Sequence, residues 1–144
     1  MDLMEYKAKE LFSAGGLPVQ KFAYIGEEAL ARGDAELIRA AAELAYPVVV
    51  KAQVMTGGRG KAGGIKFAEN ETELVKRTRE IIGMNIKGHT VHSVMIVEKA
   101  EVIKEFYLSI LLDRMTKGPV IIFSPLGGVE IEQVAKETPE IIFK

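Results

Sequence analysis

The 144-residue chain has the length of one domain, and its 48% hydrophobic content is enough to build a core, which excludes a disordered segment. Its 19 lysines and arginines nearly cancel its 20 aspartates and glutamates, so no global field draws it to nucleic acid or to an anionic membrane, and any anion site must be local. With no cysteine there are no disulfides, thiolate metal sites or cysteine nucleophile, which fits a reducing compartment, the cytoplasm.

The start, MDLMEYKAKELF, carries charges at nearly every second or third position, unlike a signal peptide or a membrane span. Met4, Ala8, Leu11 and Phe12 follow helical spacing between Asp2 and Ala14, and Gly15-Gly16 supplies the stop. Val19 to Ile25 reads as a strand. A helical region follows, strongest from Asp34 as N-cap, with Leu37, Ile38, Ala41, Leu44 and Ala45 on one side; Gly33 divides it from a shorter turn. Pro47 opens Val48 to Val54, a β-branched run with the character of a buried strand. Val19 to Val54 therefore predicts a βαβ unit with a parallel strand pair.

After a glycine-rich loop, Ile65 to Ala68 is a short strand. Asn70-Glu71-Thr72-Glu73 resembles a capping box opening a helix, with Leu74, Val75, Thr78, Ile81 and Ile82 inward and Gly83 at its end. Lys87-Gly88-His89 reads as a turn, and Val94 to Val97 as an apolar strand ending on Glu98. Glu105 to Asp113 and Pro119 to Ser124 read as antiparallel strands joined through Thr116-Lys117-Gly118. The GGVEIE block reads as a turn and an alternating strand, and Ile141-Ile142-Phe143 as a strand just beginning. The sum is an α+β domain, an α/β-like mixed sheet with flanking helices.

The stretch VVVKAQVMTGGRGKAGGIKF, Val48 to Phe67, carries the chemistry. Gly58-Arg59-Gly60-Lys61-Ala62-Gly63 matches GxGxxG, but a dinucleotide loop opens a helix, and this one opens a strand. A P-loop needs a Ser or Thr after its lysine, and Ala62 follows Lys61. What remains is a glycine hairpin that folds over a polyphosphate and donates backbone N–H groups. Lys51, inside an apolar strand, needs an anion, because an unpaired buried ammonium costs on the order of several kcal/mol. The bland alternative is a flexible hairpin, with Lys51 turned outward on an edge strand or paired with a glutamate such as Glu98. Glu98 and Glu105 flank a short interstrand connector whose backbone groups suit a purine edge and whose carboxylates suit an amine or ribose hydroxyls.

Four blocks, MDLMEYKAKELFSAGGLPV, VVKAQVMTGGRGKAGGIK, VEKAEVIKEFYLSILLDR and GGVEIEQVAKETPEIIFK, resemble in that order the N-terminal part of the β-subunits of succinyl-CoA synthetase, an ATP-grasp family. The resemblance implies that Lys51 binds nucleotide phosphate, that Gly58, Arg59 and Gly60 belong to the loop covering the phosphates, and that Glu98 and Glu105 lie along purine and ribose. The family also makes a backbone hinge contact. The connector here is one residue shorter, so that contact falls to Glu101 or Val102. Gln20 lies where related chains vary with purine preference, which leaves ATP and GTP both open. The implied reaction joins succinate to coenzyme A at the expense of ATP or GTP with Mg2+, through a phosphohistidine on the α-subunit, the expected partner. His89 and His92 are accordingly not catalysts. Residues 1–144 are expected to be a single N-terminal segment of the ATP-grasp region. The second half of the grasp, with the metal ligands, and the CoA-ligase domain would lie outside them, so no catalytic or metal residue is expected in this chain.

Overall fold

The computed structural model describes residues 3–144, so Asp2, where the first helix was expected to begin, lies outside the described residues. The chain forms two compact units, one reaching to Ala100 and one from Glu101 to Lys144.

The first unit is built on a four-stranded sheet. Its elements are α1 (Glu5–Ala14), β1 (Phe22–Ile25), α2 (Glu27–Ala31), α3 (Asp34–Ala40), β2 (Val48–Ala52), β3 (Ile65–Ala68), α4 (Glu71–Ile81), the small pair β4 (Asn85–Ile86) and β5 (His89–Thr90), and β6 (Val94–Glu98). The strand order is β1-β6-β2-β3, and every neighbouring pair is antiparallel. The α+β class holds, but the expected parallel pair does not form. β1 and β2 run the same way, yet β6 is inserted between them and bonds both.

Side chains alternate across the sheet, so one face carries Val48, Val50, Ala52, Ala68, Val94 and Ile96. These pack with Leu37 and Ala41 from α3 and its C-cap and with Leu74 and Ile81 of α4 to form the core. Each buried Val, Leu or Ile side chain among them is worth roughly 1.5–3 kcal/mol. Asn70 caps α4 as expected, its side chain accepting from the Glu73 N–H at 3.0 Å. Asp34, by contrast, is the first residue of α3 rather than its cap. Gly33 takes the cap position at φ 99°, a conformation an aspartate rarely adopts. The predicted Lys87-Gly88 turn closes β4 on β5 with both residues at positive φ, the geometry of a type I′ hairpin.

The other face carries Val49, Lys51, Met95, Val97, Phe22 and Tyr24, and α1 sits over it. The first turn of α1 is fastened to the sheet: the Tyr6 ring stacks on Tyr24 at 3.9 Å, and the Tyr6 N–H donates to Gln53 Oε1 at 3.1 Å. Leu11 and Phe12, on the expected apolar stripe, remain exposed. Gly16, at φ 78°, follows the end of the helix as predicted.

The second unit holds the hairpin β7 (Tyr107–Asp113) and β8 (Gly118–Ser124), then α5 (Ile131–Glu137) and a 3-10 turn at Pro139–Ile141. β7 begins two residues later than expected. The last two residues of the GGVEIE block, Ile131 and Glu132, open the helix α5 rather than extend an alternating strand. The strand expected at Ile141-Ile142-Phe143 is reduced to one antiparallel bridge between Phe143 and Phe123. Leu108, Ile110, Leu112 and Ile121 share one face of the hairpin and are exposed.

Candidate functional site

Lys51 stands on β2, and β2 has β6 on one side and β3 on the other. An edge-strand position is thereby excluded, and the ammonium emerges on the α1 face with little exposure. Its partner is not Glu98. Lys51 Nζ donates to Glu5 Oε1 at 3.2 Å, from the first turn of α1. Arg59 folds back from the glycine loop onto the same carboxylate, Nη2 to Glu5 Oε2 at 2.6 Å, while its Nη1 donates to the Ala52 carbonyl at 2.9 Å. One carboxylate thus bridges the strand lysine and the loop arginine.

The loop is held by its own backbone. The Ala62 N–H donates to Gly58 O at 3.1 Å, Gly63 to Gly60 O at 3.0 Å, and Gly64 to Arg59 O at 2.8 Å. Gly58, at φ 78°, occupies the left-handed region. Leu3, Glu5, Thr56, Gly57 and Arg59 are among the walls of a cavity of about 280 Å³ beside this loop. That is below the size of a typical small-molecule pocket, about 300–1,000 Å³, and suits phosphate groups better than a whole nucleotide. A larger cavity of about 570 Å³, walled by Gln20, Phe22, Arg39 and Leu44 among others, touches neither Lys51 nor the loop.

Burial pushes the Glu5 carboxyl upward, but the charges of Lys51 and Arg59 and the hydrogen bonds from both outweigh it and hold it below the ordinary glutamate range. Burial pulls the neighbouring Lys9 ammonium down; Glu5 opposes this and Lys51 adds to it. Glu5 is therefore ionised at neutral pH. A carboxylate depressed in the folded state contributes stability above its unfolded value and loses it as pH falls through the folded one. The urea midpoint of Glu5→Gln should lie below wild type at neutral pH, and the gap should close as the pH drops below the ordinary glutamate range. Parallel curves for the two proteins would sink this account.

Glu98 ends β6 opposite Val48, so alternation directs it to the α3 and α4 face, away from Lys51. Its Oε1 accepts from the Ala45 N–H at 3.0 Å, and its carbonyl accepts from Gln20 Nε2 at 3.1 Å. Gln20 Oε1 accepts in turn from Lys9 at 3.3 Å. Glu101, Val102 and Glu105 belong to the second unit and precede β7, with Val102 exposed. The Glu105 carbonyl accepts from the Gly127 N–H at 3.0 Å. A Cβ at Gly127 would fall 2.6 Å from the Phe106 backbone, and one at Gly128 would fall 2.2 Å from Glu105 Oε2. Gly127 therefore has a steric purpose, close approach to the Phe106 backbone, whereas Gly128 meets only the movable Glu105 carboxylate and is favoured by its φ of 69°.

Of the expected residues, then, the structure brings together Lys51, Arg59 and the glycines Gly58 and Gly60 of the loop. Sequence reasoning missed Glu5 and Gln53. Gln53 is 2% exposed and joins α1 to the end of β2, its Nε2 donating to the carbonyls of Lys51 and Ala52. The available signal was a glutamine just past a buried strand, and an acid in the first turn of a helix. His92 lies 3.6 Å from Glu27 on the surface. Among the described residues no group of three or more His, Asp or Glu is placed to hold a metal ion.

Residues 2–144 match the ATP-grasp domain family. The chain belongs to the ATP-grasp family. Over its full length it is 49% identical to the ADP-forming succinate–CoA ligase β subunit of Chloroflexus aurantiacus and 47% identical to the GDP-forming β subunit of Thermus thermophilus. It spans 36% of the length of each of these relatives. Among solved structures, 91% of the chain superposes on 56% of acetyl-coenzyme A synthetase 1 of Ca. Korarchaeum cryptofilum, solved with coenzyme A and Ca-AMPCP, at TM-score 0.72 and 27% identity.

Proposed function

We propose that this chain is the nucleotide-binding N-terminal part of a succinate–CoA ligase β subunit, residues 1–144 forming the first segment of its ATP-grasp region. The complete enzyme interconverts succinate, CoA and nucleoside triphosphate with succinyl-CoA, nucleoside diphosphate and phosphate, through a phosphohistidine on the α-subunit, in the cytoplasm. The observation that carries the reading is the convergence of Lys51 and Arg59 beside the glycine loop, in a chain similar to such β subunits over its whole length. Lys51 supplies a point charge to the phosphates and Arg59 a forked donor at the loop tip. Gly58 and Gly60 let the loop backbone approach them, which is electrostatic positioning, the main requirement of phosphoryl transfer. The proposed purine and ribose contacts of Glu98, Glu105 and the Glu101-Val102 segment are carried by the family resemblance alone.

Mg2+ supplies charge neutralisation to the family's reaction. The described residues offer no carboxylate cluster for it, so no step is assigned to the metal here. Both ADP-forming and GDP-forming β subunits are similar to the chain, so the nucleotide is ATP or GTP. No described helix is long and apolar enough to cross a membrane.

The test is succinyl-CoA formation by the intact protein with its α-subunit, supplied with succinate, CoA, Mg2+ and either nucleotide. Acetate and citrate replace succinate in parallel. Turnover restricted to succinate supports the assignment. Preference for another acid moves it to a related acid–CoA ligase, and nucleotide binding without turnover leaves a binding module.

A further inference from the structure

We propose that Glu5 sets the affinity of this site for phosphate: its carboxylate stands where an anion belongs, between Lys51 and Arg59, and a phosphoryl group binds by displacing it. The inference rests on the nucleotide reading of the site and adds a residue that reading does not contain.

The geometry is that of an occupied anion site. One Glu5 oxygen takes the Lys51 ammonium at 3.2 Å and the other takes the Arg59 guanidinium at 2.6 Å, the donor set a phosphate would use. Neither cation depends on Glu5 for its place. Lys51 is fixed by a strand with neighbours on both sides, and Arg59 keeps a second bond to the Ala52 carbonyl. Glu5 and Arg59 share the wall of the 280 Å³ cavity, so an incoming anion reaches the pair directly. Only a side-chain rotation at the first residue of α1 is needed to vacate the position. Lys9, one turn further along α1, gives the cluster a third cation against a single carboxylate, so the surroundings stay positive while Glu5 is in place.

Two effects of removing the Glu5 charge oppose each other. Lys51 and Arg59 lose the charge that offsets their mutual repulsion, which lowers stability. A multiply charged polyphosphate, however, no longer faces a carboxylate a few Å away, and at an effective dielectric of about 20 that repulsion outweighs the loss of one hydrogen bond. The second effect wins. A purely structural ion cluster would lower stability and leave affinity unchanged or reduced.

The probes are inorganic triphosphate and ATP, titrated calorimetrically into the intact protein as wild type, Glu5→Gln, Glu5→Asp and Lys51→Ala. Glu5→Gln keeps the shape and one acceptor oxygen but not the charge. It should melt at a lower temperature without ligand yet bind triphosphate about tenfold more tightly, whereas Glu5→Asp, which keeps the charge, should not tighten. Unchanged or weaker binding in Glu5→Gln, with binding also weakened in Lys51→Ala, overturns the role of Glu5 and leaves the nucleotide reading standing. Wild-type affinity in Lys51→Ala overturns the nucleotide reading itself. Should Glu5→Gln fail to fold, the carboxyl 13C resonance of Glu5 in the wild-type protein decides. A shift on adding triphosphate is expected, and a resonance that does not move refutes displacement.

Discussion

Replacing Lys51 with alanine is expected to weaken binding of ATP and GTP by at least about thirtyfold, roughly 2 kcal/mol, the scale of one lost charge-assisted contact. Two secondary effects bear on the size. The substitution removes an aliphatic stem that packs in the interior of a sheet, and it frees Glu5 from one of its two partners. Freed of Lys51, Glu5 presents more negative charge to an incoming phosphate, which adds to the loss. The stem contribution is separated by Lys51→Met, which keeps the apolar body and removes only the ammonium. Equilibrium dialysis with either nucleotide should show a similar loss in both variants, with a melting temperature closer to wild type in Lys51→Met. Nucleotide affinity unchanged in both would remove Lys51 from the site.

The types of element around Lys51 were legible in the sequence; their neighbours were not. Val48–Ala52 and Val94–Glu98 are buried on both faces, and such runs read as strands whichever way their partners run. Their pairing is fixed by the helices that pack on Val50 and Ile96, contacts made over tens of residues, and this is why β6 could enter between β1 and β2 unforeseen. A similar ambiguity made the GGVEIE block read as an alternating strand. Ile131 and Val134 are three apart and fit one side of a helix as well as the alternation fits a strand, and in a short segment packing decides. The need of Lys51 for an anion followed from one lysine in an apolar run. Which anion did not, since Glu5 lies 46 residues earlier and only the seating of α1 across the sheet brings it there. The family resemblance supplied the proposed role of the loop, a matter of motif order, but not the carboxylate that bridges its arginine to β2.

Within that loop the glycines are not equivalent, and the difference gives the second large effect. A Cβ on Gly64 would lie 2.7 Å from Ile86 Cδ1, 3.1 Å from Ala52 Cβ and 3.2 Å from the Arg59 carbonyl. Ile86 is fully buried and cannot swing aside, and the Gly64 carbonyl accepts from Ala52 N at 2.7 Å, which pins the backbone from the other side. A Cβ on Gly60 would meet only Ile65 Cδ1, at an ordinary 3.7 Å. Gly64→Ala should therefore cost roughly 1–3 kcal/mol of stability, the usual scale of overpacking, and Gly64→Val more. Gly60→Ala should stay within about 0.5 kcal/mol. Urea unfolding at constant m-value measures both, and equal midpoints for Gly60→Ala and Gly64→Ala would refute the distinction. Because the Gly64 N–H bonds the Arg59 carbonyl, a side chain forced in at Gly64 also shifts the residue that carries the loop's guanidinium. Gly64→Ala should then lose nucleotide affinity together with stability, whereas Gly60→Ala, stable by this argument, isolates what the loop backbone itself contributes to the phosphates.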